Sequence, residues 1–190
     1  VWIGDELLYA DDPAGRWNLF RRSLDGAPEP VAPADADTGG PVWVLGTRWF
    51  AATPDGRIIA VRTNGGDEIV EIAPSGIRPV DVPVVADASI DDVRGSRVLV
   101  SGSDPQGRTT LWSLDLDTGE VSRITGGEHF GVEWMPVARS LTTEGPHGPV
   151  HAFAYPPTNP DVVAPDDERP PYVVLVHGGP TSHVGPAPSA

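Results

Sequence analysis

The sequence predicts a mainly β fold assembled from short antiparallel strands, and three observations carry that prediction. Glycine and proline number 22 each among 190 residues, which punctuates the chain too often for long helices. No segment between residues 1 and 150 keeps a helical apolar period. Three windows of equal length align without gaps: NLFRRSLDGAPEPVAP (18–33), EIVEIAPSGIRPVDVP (68–83) and TLWSLDLDTGEVSRIT (110–125).

Each window opens on an apolar pair, Leu19-Phe20, Ile69-Val70 or Leu111-Trp112, and turns at a glycine, Gly26, Gly76 or Gly119. A short extended stretch follows each turn, so each window reads as a β-hairpin. A further strand precedes each hairpin: ELLYA (6–10), RIIAVRT (57–63) and RVLVSGS (97–103). The second of these follows TPDG (53–56), a turn with proline early and glycine late, and PVWVLGTRWFAA (41–52) supplies an earlier strand. The unit therefore holds up to four short strands and recurs roughly every 40 to 50 residues, the period of propeller blades. A β-sandwich also has short, regularly spaced strands, but the matched hairpin lengths and turn positions favour blades. About two and a half blades fit, the first lacking its leading strand, where closed propellers use about four to eight. The chain is thus expected to be a piece of something longer.

The pattern changes near residue 135. VHAFAYPP (150–157) reads as a strand, and PPTNPDVVAPDDERPP (156–171) as an exposed loop. Tyr172–Val176 is apolar on both faces, as in the central strand of a parallel sheet covered by helices. His177 ends that strand, and Gly178-Gly179 open φ values closed to other residues.

Charge and composition exclude several functions. The net charge is −14 and all 13 basic residues are arginine, which argues against nucleic acid or an anionic membrane as a partner. No apolar run approaches the ~20 residues of a membrane span. There is no cysteine, so no disulfide or thiol chemistry, which fits a reducing, cytoplasmic compartment.

Candidate metal sites have plainer readings. LDLDTGE (114–120) and DADTGG (35–40) alternate aspartates as a calcium loop can, yet hairpin turns account for them. His147 and His151 are four apart, but Gly148 and Pro149 between them break the helix that a shared metal would need. No cofactor is implied.

The HGG turn is the sharper candidate. A glycine turn at the carboxyl end of a buried strand presents backbone N–H groups, and in α/β-hydrolases such a loop gives one donor to the oxyanion hole. TTEGPHGPVHAFAYPP (142–157) and PPYVVLVHGGPT (170–181), preceded by blades, resemble the prolyl oligopeptidase family of serine peptidases, in particular its acylaminoacyl-peptidase and dipeptidyl-aminopeptidase branch. The resemblance covers most of the chain and is specific over its last part. It implies that residues 1–135 are the C-terminal part of a β-propeller and residues 136–190 the start of an α/β-hydrolase domain. It implies that a backbone N–H of Gly178 or Gly179, preferably Gly179, is the oxyanion-side donor, with His177 supporting the loop rather than acting as general base. The family's nucleophile lies in a G-x-S-x-G elbow, and no such elbow occurs in these 190 residues; Ser182 and Ser189 are in other contexts. The expectation is a peptidase fragment, inactive alone, whose substrate in the whole protein is a peptide. The competing reading is a non-catalytic β-propeller binding protein in which HGGP is incidental.

Overall fold

The computed structural model describes residues 1–126, 131–179 and 182–188. It holds three consecutive four-stranded antiparallel sheets and a separate hairpin. The first sheet is β1 (Trp2–Ile3), β2 (Glu6–Asp11), β3 (Asn18–Ser23) and β4 (Glu29–Val31). The second is β5 (Phe50–Ala52), β6 (Ile58–Asn64), β7 (Gly66–Ala73) and β8 (Gly76–Val80). The third is β9 (Ala86–Arg94), β10 (Arg97–Ser103), β11 (Thr109–Asp115) and β12 (Val121–Gly126). In every sheet the strands lie side by side in chain order. Among the described residues the helical structure is a single 3-10 turn at Val132–Trp134, after which β13 (Arg139–Gly145) and β14 (Gly148–Ala154) pair with each other alone.

The three aligned windows are the third and fourth strands of the three sheets. Gly26 lies in the β3–β4 turn, and Gly119, at φ +74°, in the β11–β12 turn. Gly76 instead opens β8, opposite Ala73, with Pro74 and Ser75 making the turn.

Side-chain direction repeats as well. Leu19 packs between the first and second sheets, and Ile69 between the second and third. The next residue along points the other way: Val70 faces the first sheet and Trp112 faces the second. Phe20 meets Tyr9, the residue it pairs with across β2 and β3, with ring centroids 6.0 Å apart. Strand alternation turns the aligned apolar pair into one residue for each neighbouring layer.

β6 shows the same rule at its limit. Ile58 and Ala60 enter the core shared with the first sheet, whereas Ile59 and Val61 enter the core shared with the third. All four are buried. The core between the second and third sheets is completed by Val80, Val82, Val84, Ile90, Val98, Val100 and Leu114 around Trp112.

Polar pins join the same two sheets. Glu71 lies opposite Ile59, and its side chain is only 5% exposed. Arg57 approaches Glu71 Oε1 at 3.7 Å, and Arg78 meets Oε2 as a charge contact off the hydrogen-bond axis. Arg57 Nη2 also lies 2.7 Å from Asp55 Oδ2 and 2.7 Å from Asp117 Oδ1 in the β11–β12 turn. Arg78 donates to the Leu116 carbonyl at 2.9 Å.

Three expectations change. The first sheet is complete, because Trp2–Ile3 pairs with β2; three four-stranded sheets stand where two and a half units were counted. A two-residue strand is too short to show a period. The strand expected over 41–52 shrinks to Phe50–Ala52, and Val42, Trp43, Val44 and Leu45 are exposed in an irregular segment. Pro41 and Gly46 bound that segment, and apolar composition there is not matched by a pairing partner. Tyr172–Val176, expected as a buried strand, is not in a sheet, and its five side chains are 80–92% exposed. A strand forms only where another strand accepts its backbone groups, and among the described residues none lies beside it. The strand expected over 150–155 appears as β14, and 156–171 holds no strand or helix.

Candidate functional site

His177, Gly178 and Gly179 follow the apolar segment and are exposed. Gly179 has φ +73°, the left-handed region that favours glycine. The His177 ring nitrogen Nδ1 lies 3.3 Å from the Gly178 carbonyl, close enough for the protonated nitrogen to donate to it. That contact joins the histidine to the carbonyl of the next residue. Among the described residues, neither the Gly178 nor the Gly179 N–H donates to a protein acceptor. A Cβ on Gly178 would meet nothing within 4 Å, and one on Gly179 only Ser182 Cβ at 4.0 Å. Among the described residues, the two glycines are uncrowded. Pro180 and Thr181 of the motif, and Ser189, lie outside the described residues.

The segment beyond the turn reaches back to the sheets. His183 lines an open cleft of about 490 Å³. Val44, Leu45, Trp49, Val61 and Ala88 form its apolar side, and Thr63, Asp67, Asp87 and Ser89 its polar side. Asp67 is fixed there: Oδ1 accepts from Thr63 Oγ1 at 2.7 Å and Oδ2 from the Ala88 N–H at 2.9 Å. Asp87 sits at φ +55° and accepts from Ser103 Oγ at 3.4 Å. No sequence pattern flagged this cleft, because its walls come from β6, β7 and β9, from the connection before β5 and from the segment after the HGG turn.

The carboxylates of the calcium-like stretches are engaged elsewhere. Asp115 Oδ1 accepts from the Asp117 N–H at 2.9 Å, which holds its carboxyl below the usual aspartate range. Arg16 bridges Asp35 and Asp37 at 3.0 Å each. His147 occupies the β13–β14 turn, and His151 Nδ1 lies 3.0 Å from Thr142 Oγ1. Among the described residues no three metal-ligating side chains cluster.

No family model and no curated protein matches the chain. Solved structures do. A puromycin-hydrolysing peptidase of Mycobacterium tuberculosis superposes with TM-score 0.85 at 32% identity, over 93% of this chain and 28% of that one. A crystal structure of puromycin hydrolase gives TM-score 0.87 at 30% identity, over 96% of this chain and 28% of that one. A puromycin hydrolase mutant complexed with PGG gives 0.86 at 30%, with the same coverage. The chain thus spans little more than a quarter of the length of the proteins it matches. The three sheets end at Gly126, so an alignment over 93% of 190 residues also takes in much of the chain beyond them. This likeness supports the resemblance to the prolyl oligopeptidase family.

Proposed function

We propose that this chain is part of a serine peptidase that hydrolyses aminoacyl or peptide amide bonds through an acyl-enzyme. The three sheets are consecutive blades of a propeller that screens substrates by size. Residues 136–190 begin the hydrolase domain, and the HGG turn supplies one backbone N–H to the oxyanion hole, from Gly179. The nucleophile, its base and the orienting acid lie outside these residues, which contain no G-x-S-x-G. The chain by itself is therefore inactive, since acyl transfer needs nucleophile, base and oxyanion donors together.

The observation that carries this reading is the similarity to puromycin-hydrolysing peptidases, which runs beyond the three sheets. It favours the peptidase over a binding propeller, in which a likeness confined to the blades would be enough. The left-handed Gly179 supports the role of the turn, because only glycine holds that φ without strain. The test is Gly179→Val in the longer protein, assayed on a fluorogenic aminoacyl amide. Losing one oxyanion donor costs roughly 10²–10³ in kcat, so turnover should fall by about that factor with folding retained. An unchanged rate removes the oxyanion role from this turn. Serine-reagent-sensitive hydrolysis by the 190-residue chain alone would overturn its assignment as an incomplete enzyme.

A further inference from the structure

The segment after the HGG turn, Gly185-Pro186-Ala187-Pro188, rests on the second and third sheets. The places where it rests have no room for larger side chains. A Cβ on Gly66, at the start of β7, would lie 3.3 Å from Pro186 Cγ and 3.3 Å from the Val85 carbonyl. A Cβ on Gly107, in the β10–β11 turn, would collide with the Pro188 carbonyl. On the other side of the contact, a Cβ on Gly185 would lie 2.5 Å from the Ala86 Cβ. Pro188 is buried, although the chain from 156 to 179 is exposed almost throughout. Tyr155, which follows β14, donates its hydroxyl to the Ala187 carbonyl at 3.4 Å, and its burial pushes the phenol pKa up.

Two prolines in four residues leave the segment little conformational freedom to lose on docking. Small residues on the facing surface let backbone approach backbone, which a side chain on either face would prevent. The contact starts six residues after Gly179, so it fixes one end of the short span that carries the HGG turn.

The geometry points to a docking site for this proline segment, formed by Gly66, Ala86 and Gly107, which anchors the HGG turn to the sheets. Gly66, Gly107 and Gly185 are positioning residues. The inference rests on the proposed function only for its consequence, the placing of the oxyanion-side loop; the docking itself is independent of catalysis.

The chain has no cysteine, so one introduced thiol reports cleanly. Ala187→Cys is labelled with a maleimide dye, with Val163→Cys, at a position 91% exposed, as the open reference. Ala187→Cys, at a partly buried position, should react several-fold more slowly than the reference, because docking restricts access to it. Adding Gly185→Val should bring it to the reference rate, with the urea midpoint of the sheets unchanged. Gly66→Val should release the segment from the opposite side. Gly185→Val decides the matter alone if Gly66→Val fails to fold, because Gly185 lies outside every strand. Reaction of Ala187→Cys at the reference rate overturns the docking site, and so does protection that survives Gly185→Val. If docking holds but Gly179→Val leaves turnover intact in the longer protein, the oxyanion assignment fails and the docking site stands.

Discussion

Glu71 is a carboxylate on a face that otherwise belongs to isoleucine and valine, and its neighbours decide what its removal costs. Glu71→Ala leaves Arg57 with Asp55 and Asp117, and Arg78 with the Leu116 carbonyl. Arg57→Ala instead leaves the buried carboxylate with only Arg78, which is half exposed. Stranding a buried charge is worse than deleting it. Glu71→Ala is expected to cost about 2 kcal/mol and Arg57→Ala about 3 kcal/mol, measured by urea unfolding; the reverse order would contradict the assignment of Glu71 as the buried member. None of this was legible in the sequence. Glu71 has the spacing of any solvent-facing strand residue, and its burial comes from a third sheet lying over that face. The HGG turn was legible, because glycine pairs and left-handed φ values go together whatever surrounds them. The docking glycines were not, since nothing in the sequence marks which glycine faces another part of the chain.

At the level of elements, the hairpins were readable because their turns carry glycine and their strands carry apolar pairs. Segments whose structure depends on a partner were misread in both directions. Trp2–Ile3 is a strand because β2 pairs with it, and Tyr172–Val176 is not one despite its stronger pattern. Where a turn is held by ions, acidity should loosen it. In the fold, the Arg57 hydrogen bond first, and then that of Thr53, hold the Asp55 carboxyl well below its ordinary 3.8. A folded-state value below the unfolded one favours folding while the group is ionised. The contribution is therefore present above about pH 4 and is lost as the pH falls further. The urea midpoint should drop below pH 4, and the drop should be shallower in Asp55→Asn. Parallel curves for the two proteins would mean that the Asp55–Arg57 pair adds nothing to the stability of the fold.

Across the whole molecule, protection is uneven. The second and third sheets bury their central strands, while β13–β14 and the residues to 179 lie mostly open. Thermolysin cuts before large apolar residues on exposed backbone. It should cleave at Val42–Leu45, at Val162-Val163 and within Tyr172–Val176 before any bond in β6, β7 or β10, leaving a resistant core that contains the second and third sheets. Mass spectrometry of the early products reads the order directly. Early cleavage within β6 would show that the layers do not stay together, and with it would go the reading of three cooperating blades.

Strand β6 carries a consequence for how this fold finds its alignment. A strand with one wet face is told its register by alternation, since a shift of one residue puts oil in water. Ile58-Ile59-Ala60-Val61 gives no such warning, because a slipped β6 would still present aliphatic groups to both neighbours. The information has to come from the ends and from across the ladder. The Thr53–Arg57 turn sets one end and the tight Asn64–Gly66 reversal the other. Arg57, just before β6, meets Glu71 on β7 only in this alignment, and a slip of β6 along β7 would pull the pair apart. Greasiness puts this strand in the middle; a few polar atoms say where along its length it must stop.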